Sequence, residues 1–304
     1  MKPSIVSLGE VLWDLFPEGA RFGGAPANFA CHAALLGCDV AMLSAVGADS
    51  RGREAVDILR GYGIDTTMIQ RLEDVPTGTV GVSLDAGGKP TFVIHEGSAW
   101  DRIAWTPGLE TRIAEADAVY FGSLGQRGEV SRGTIRRALE MAAASNTLRI
   151  LDINLRSPYY DDPLILQSVE ACSVLKLSDD ELKSVTRACR IDAGGGAEAP
   201  LRSLLERFNL DLVVMTRGAE GAVVVTAAET IEQPGIPTTV RDTVGAGDAF
   251  TAALAAGLLR GEALPTIARK ACEVAAAVCA QPGAVPEYLD AAEGGSPTDA
   301  TGGT

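Results

Sequence analysis

A mostly parallel β-sheet flanked by helices, with a small strand insertion, is the fold that this 304-residue sequence predicts. Three observations point to it. Short apolar runs alternate with amphipathic segments, the pattern of a sheet covered by helices. The amphipathic segments carry readable helix ends. One stretch, residues 77–97, breaks the alternation with two strand patterns and no helix between them.

SIVSLGE (4–10) is the first strand candidate, and VLWDLFPEGARF (11–22) is a second. PANFACHAALLG (26–37) is a helix, with Pro26 in its first turn and Gly37 at its C-cap. VAMLSAV (40–46) returns as a strand, and a helix covers 50–61. TGTVGVSLD (77–85), the turn AGGK and PTFVIHEG (90–97) read as a hairpin. No βαβ unit can be made from that stretch, so lid strands at about 11–23 and 76–106 are expected over the sheet's carboxyl edge, where open α/β folds bind ligands. AVYFGSL (118–124), LRILDIN (148–154), SVLKLS (173–178), LVVMT (212–216) and AVVVT (222–226) continue the sheet. Helices are expected over 130–145, 162–171, 179–189 and 197–208. Two more follow over 246–260 and 266–280, where Ala249, Phe250, Ala253 and Leu254, then Ala268, Ala271, Cys272 and Ala275, recur at helical spacing. One domain over 1–290 is expected, with a Gly/Ser/Thr/Pro-rich tail at 291–304 read as disordered.

Composition excludes several classes. A net charge of -14, from 26 Lys+Arg against 40 Asp+Glu, repels a nucleic-acid backbone. No window approaches ~18 uninterrupted apolar residues, and no secretory signal follows Met1, so neither a membrane partner nor export is expected. The six cysteines form no C-x-x-C pair and sit in apolar segments, which reads as reduced thiols in a cytoplasmic protein. His32 and His95 are too few for a histidine-rich metal site or a Ser-His-Asp apparatus, and His32 reads as a packing residue three positions after Phe29.

The loops narrow the chemistry. No G-x-x-x-x-G-K-[ST] match exists; Gly88-Lys89 is followed by Pro90. The dinucleotide fingerprint fails too, because Gly245 and Gly247 are followed by Ala249 and Phe250. TVGAGDAF nevertheless opens an alanine-rich helix. Two glycines let an oxyanion approach the helix's first N–H groups, and Asp248, ionised at its ordinary pKa near ~3.9, can take a proton from an attacking hydroxyl. The structural alternative is a first-turn acid that merely complements the helix dipole.

GGAPANFACHAALLG near the start and RDTVGAGDAF near the end resemble the two signature regions of the PfkB family of sugar kinases. DINLR (152–156), KLSDDE (176–181) and TRGAEG (216–221) lie between them in the family's order, so the resemblance runs from Gly9 to about Pro286. It implies a ribokinase-like three-layer α/β sandwich with a β-strand lid, and an ATP-dependent kinase acting on a primary hydroxyl of a small sugar. Asp248 would be the general base, and Gly245, Ala246 and Gly247 the anion hole for the γ-phosphate. Asp14, Gly24 and Asn28 match sugar-binding positions. Thr216, Gly218 and Gly221 match the turn along the ATP phosphates and ribose. Glu181 matches the acid that acts with Mg²⁺ through water, although Ser178 stands where the family's motif has asparagine, and Ser178 with Glu181 also reads as a capping box. Asp242, the carbonyl of Val244 and the loop at Gly283 match a monovalent-cation region, with K⁺ the cation expected.

Ala25 and Pro26, in place of the lysine and glycine of ribokinase-type members, resemble fructokinases and 2-keto-3-deoxygluconate kinases. WDLFP, FGSLGQR and DINLRSPYY are similar to fructokinase segments, with Ile153 where many relatives have proline, and Arg156 is placed to reach substrate or phosphate. Fructose is the expected sugar. A keto-acid sugar is the alternative, its carboxylate met by Arg127 or Arg156. A non-catalytic sugar or nucleotide sensor is the alternative of another class, and it predicts loss of the base or the loop. A homodimer through the lid is the expected assembly.

Overall fold

The computed structural model describes residues 2–84, 90–192, 194, 196 and 198–285. The expected AGGK turn (86–89) and the expected disordered tail at 291–304 therefore lie outside the described residues. In chain order the strands are β1 (Ser4–Leu8), β2 (Leu12–Phe16), β3 (Gly19–Gly23), β4 (Asp39–Gly47), β5 (Ile69–Leu72), β6 (Gly78–Leu84), β7 (Pro90–Ile94), β8 (Ala118–Gly122), β9 (Leu148–Asp152), β10 (Val174–Ser178), β11 (Leu212–Thr216), β12 (Ala222–Val225) and β13 (Thr230–Gln233). The helices are α1 (Ala25–Leu35), α2 (Ser50–Gly61), α3 (Leu109–Ala114), α4 (Glu129–Ala144), α5 (Asp162–Ala171), α6 (Asp179–Ala188), α7 (Glu198–Phe208), α8 (Ala246–Leu259) and α9 (Leu264–Cys279).

Among the described residues the large sheet has the order β13-β12-β11-β10-β9-β8-β1-β4-β5. Every pair from β11 to β5 is parallel, and β12 and β13 close one edge antiparallel. Alternation along each strand sends side chains to opposite faces. Val6, Leu8, Val119 and Phe121 enter one apolar layer with Ile135 of α4, Ile165 of α5 and Leu204 of α7. Ile5, Met42, Ala118 and Tyr120 enter the other with Phe29 of α1, Leu254 of α8 and Ile267 of α9. The result is three layers, with both sheet faces buried, which is why the strands read as continuous apolar runs.

Local chemistry sets the helix ends. Asp49 and Asp161 cap α2 and α5 by accepting from Gly52 N and Leu164 N, each at 2.8 Å. α1 carries its expected proline, and Gly37, at φ 83°, follows its C-terminus as expected. His32 packs as expected, its Nε2 2.9 Å from the Ala284 carbonyl. Among the described residues the cysteines are free thiols. No described helix is long and apolar enough to cross a membrane.

The small sheet has the order β3-β2-β6-β7. The single strand expected over 11–22 is two strands, because the chain reverses after Phe16 and β3 pairs antiparallel with β2. β2 then lies parallel to β6, which joins the expected hairpin to it. Also unforeseen are β5, β13 and α3, elements of four to six residues, too short to show a period.

Phe29 is fully buried and stacks on Tyr120 of β8, ring centroids 3.8 Å apart and planes at 9°. Phe29→Ala is expected to cost about 3–5 kcal/mol, read as a drop in the urea midpoint at unchanged slope.

Candidate active site

The carboxyl ends of the central strands open into a cavity of about 600 Å³. Its floor comes from the chain beyond β1 (Glu10), the end of β9 (Asp152) with Asn154 and Arg156 after it, and Lys176 of β10. α1 contributes Asn28, and the loop into α8 contributes Asp242 to Gly245, Gly247 and Asp248. The small sheet supplies Leu12, Asp14, Val80, Phe92 and Ile94. A smaller cavity of about 310 Å³, between α2 and β5, holds none of these residues.

Asp248 sits in the first turn of α8 and is 8% exposed. Asn28 Nδ2 donates to its Oδ2 at 2.8 Å. Burial, then the nearby Asp152 charge, push the carboxyl up to about 7, against the Asn28 hydrogen bond and the charges of Lys176 and Arg156. Gly245 begins the helix at φ 79°, where a Cβ would lie 2.3 Å from the Ala284 carbonyl oxygen, so only glycine fits. No side chain caps this helix start, and although Ala246 N donates to the Thr243 carbonyl at 3.3 Å, the N–H groups of Gly247 and Asp248 remain for an anion.

Lys176 Nζ lies 3.1 Å from both Asp152 oxygens. Burial works against its ammonium, but Asp152, Glu181 and Asp248 outweigh that and raise it above the ordinary range. A Cβ on Gly247 would stand 3.2 Å from Lys176 Nζ, so a positive charge lies beside the glycine loop. Thr251 Oγ1 holds Asp152 from the α8 side at 3.1 Å. Burial raises the Asp152 carboxyl as well.

Glu10 is 3% exposed, and burial pushes it up to about 7 despite Arg156 and Arg127. Its Oε2, Asn28 Oδ1 and Tyr120 Oη are buried without hydrogen-bond partners. Burial pushes Asp14 up to about 6, with Arg156 and Arg21 pulling the other way. Gly24 adopts φ 107° and a Cβ there would meet the Glu10 carbonyl at 2.6 Å, so this close approach also requires glycine.

The structure therefore gathers Asp14, Gly24, Asn28, Arg156, Asp242, Val244, Gly245, Gly247 and Asp248 around one space, with Ala246 in the first turn of α8 beside them. Thr216, Gly218, Gly221, Glu181 and Gly283 stand outside its lining. Thr216 ends β11 in register with Ser178 of β10, and Arg217 N donates to the Gly221 carbonyl at 2.7 Å, closing the Gly218 turn farther along the same edge. Glu181 forms the capping box: Ser178 N and Oγ donate to Oε2 at 2.8 and 2.9 Å, and Leu155 N donates to Oε1 at 2.7 Å. Asp242 accepts from Val244 N at 3.1 Å and Gly283 N at 3.0 Å, with Arg21 Nη1 3.7 Å away. Arg127 is paired with Asp101 and lies outside the lining.

Sequence reasoning assigned no role to Glu10, Asp152 or Lys176. A signal existed for the last two: each is an ionisable residue following an apolar pair in a strand of the sheet, Ile150-Leu151 and Val174-Leu175, where burial demands a partner. Among the described residues no cluster of three or more His, Cys, Asp or Glu side chains can hold a metal. A divalent cation here would draw most of its ligands from substrate phosphates, which suits Mg²⁺.

Residues 18–291 match the profile described as pfkB family carbohydrate kinase. The chain is 31% identical over 268 residues to a fructokinase of Klebsiella pneumoniae, covering 85% of each chain. It is 29% identical over 282 residues to a 2-dehydro-3-deoxygalactonokinase of Haloferax volcanii, covering 88% of this chain and 87% of that one. An uncharacterized sugar kinase of Pyrococcus horikoshii, solved in complex with ATP, superposes with a TM-score of 0.78 at 27% identity, over 92% of this chain and 93% of that one. The ribokinase-like architecture, the anion-ready start of α8 and these matches converge: the chain belongs to the pfkB family of carbohydrate kinases.

Proposed function

We propose that this kinase transfers the γ-phosphoryl group of ATP to a primary hydroxyl of fructose. The observation that carries the reading is Asp248, a buried carboxylate between the sugar-sized cavity and the uncapped start of α8. Asp14, Asn28 and the backbone at Gly24 orient the sugar, since carboxylate and amide groups match hydroxyl donors and acceptors. Asp248 takes the hydroxyl proton as the oxygen bonds to the γ-phosphorus, while the bond from that phosphorus to the β–γ bridging oxygen breaks and ADP leaves. The loop from Gly245 to Gly247, with Ala246, holds the charge that spreads over the transferred group, and Lys176 adds a fixed positive centre.

Asp248 and Asn28 meet across the fold, so the base is aimed before substrate arrives. The turn containing Thr216, Gly218 and Gly221 would follow the nucleotide's phosphates and ribose. Mg²⁺ would neutralise phosphate charge, with Glu181 acting through water. Asp242, the Val244 carbonyl and the Gly283 loop would hold K⁺, sharing Asp242 with Arg21.

Arg156 favours a second reading. It lines the cavity and its Nη1 donates to the Leu155 carbonyl at 3.2 Å, leaving most of its donors for a substrate carboxylate. The acceptor would then be 2-keto-3-deoxygluconate or a similar sugar acid. Dimerisation through the small sheet is proposed on its exposed Phe92 and Val93.

ATP consumption across fructose, 2-keto-3-deoxygluconate, ribose, glucose and adenosine separates the readings: fructose is expected to give the highest kcat/KM. A higher value for the sugar acid, lost in Arg156→Ala, would transfer the assignment to it.

Asp248→Asn is expected to lower kcat by about 10²–10⁴-fold while sugar binding, measured by calorimetry, changes little. Retention of most of kcat would remove Asp248 as the base. The same variant should melt at a higher temperature above pH 7. The folded carboxyl titrates at about 7 against an unfolded value near ~3.9, so the folded state holds the extra proton and loses stability as pH rises between them.

The basic form of Asp248 is the active one. With its carboxyl pushed up to about 7, kcat/KM should fall about tenfold per unit below pH 7 and level off above it. A profile flat from pH 5.5 to 8 would contradict this.

A further inference from the structure

Arg127 lies outside the cavity lining, yet it ties together parts of the chain that form the cavity walls. It follows the short turn Leu124–Gln126 after β8, and Leu124 is a wall residue. Its Nε and Nη2 donate to the two Asp101 oxygens at 2.7 and 2.9 Å, a two-pronged pair whose side chains are 7% and 14% exposed. Nη2 also donates to the His95 carbonyl at 2.7 Å, the residue after β7 and next to Ile94 of the cavity wall. The guanidinium carbon lies 3.9 Å from the ring centre of Trp100 and 4.7 Å from that of Tyr159.

Tyr159 completes the connection. Its hydroxyl donates to the Ile94 carbonyl at 2.8 Å, and its N–H donates to the carbonyl of Arg156, another wall residue, also at 2.8 Å. One planar cation thus joins the lid strand, the turn after β8 and the Arg156 loop. A guanidinium is suited to this because its fork and its flat face bind at the same time, and lysine offers only the charge. The extent of buried pairing exceeds what a surface ion pair provides.

We propose that Arg127 is a positioning residue: it holds β7 and the Arg156 loop at the spacing that the sugar requires, and so sets sugar affinity without entering phosphoryl transfer. This rests on the sugar lying in the cavity, as the kinase reading has it. Its own substrate contact, expected from sequence as one option for a sugar acid, is replaced by this indirect role, because its Nε and Nη2 donate to Asp101 and His95, its Nη1 is buried, and the side chain stands outside the cavity lining.

The test uses the full chain with Arg127→Lys and Tyr159→Phe. Hydrogen exchange is followed by mass spectrometry over residues 92–97, and steady-state kinetics are measured with the preferred sugar. Arg127→Lys should speed exchange there at least tenfold and raise the sugar KM at least tenfold, with kcat and the ATP KM within twofold of the parent. Tyr159→Phe, which keeps the ring and removes the bond to Ile94, should produce a smaller change of the same kind, and it carries the test if the lysine variant does not fold. Unchanged exchange in the folded variants, or a fall in kcat at constant sugar KM, would overturn the proposal. If the parent protein phosphorylates no sugar in the panel, the kinase reading fails, and the exchange measurement still decides whether Arg127 holds the lid strand.

Discussion

The side chains of Asn28 and Asp248 are 220 positions apart in the chain, and the hydrogen bond between them is buried. It can form only where the start of α1 and the start of α8 meet above the same sheet edge. That meeting needs the close approach at Gly24 and the left-handed start at Gly245, since a Cβ at either would strike a backbone carbonyl. It also needs α1 and α8 packed into one apolar layer, with Phe29 and Leu254 in a common core. A carboxylate placed there loses most of its water, keeping only the face that lines the cavity, and the rest of the site is arranged around that cost.

Compensation is partial, which gives the site its electrostatic character. Lys176 is balanced by Asp152, and Thr251 anchors that pair from α8. Glu10, Asp14 and Asp248 are left with carboxyls raised toward neutrality by burial. Three acids poised near their titration points, facing a helix start with free donors, suit hydroxyl recognition and proton removal beside an incoming anion. The same burial makes the site unfavourable for stability, the trade expected where function fixes a charge in the interior.

Much of the fold was legible because burial on both sheet faces leaves strands as apolar runs, while the first helix announces its ends through Pro26 and Gly37. β5, β13 and α3 were not, since four to six residues show no period. The reversal between β2 and β3 was hidden in VLWDLFPEGARF, where Pro17 and Glu18 separate two strands that read as one. At the site, motif residues such as Asp14, Asn28 and Asp248 were legible by resemblance. Lys176 and Asp152 stood inside quoted motifs without an assigned role, because each makes sense only beside the other on adjacent strands.

By itself the sequence determined the α/β class, the glycine loop and the carboxylate that follows it, because these depend on local periodicity, backbone freedom and charge. Tertiary structure alone decided which groups share the cavity and which protons they hold. Arg127 was drawn into a clamp with Asp101 and His95, and Asp248 acquired a carboxyl near 7. The physical reason is that desolvation and pairing depend on distances across the fold, between residues whose separation in the chain carries no information about their separation in space.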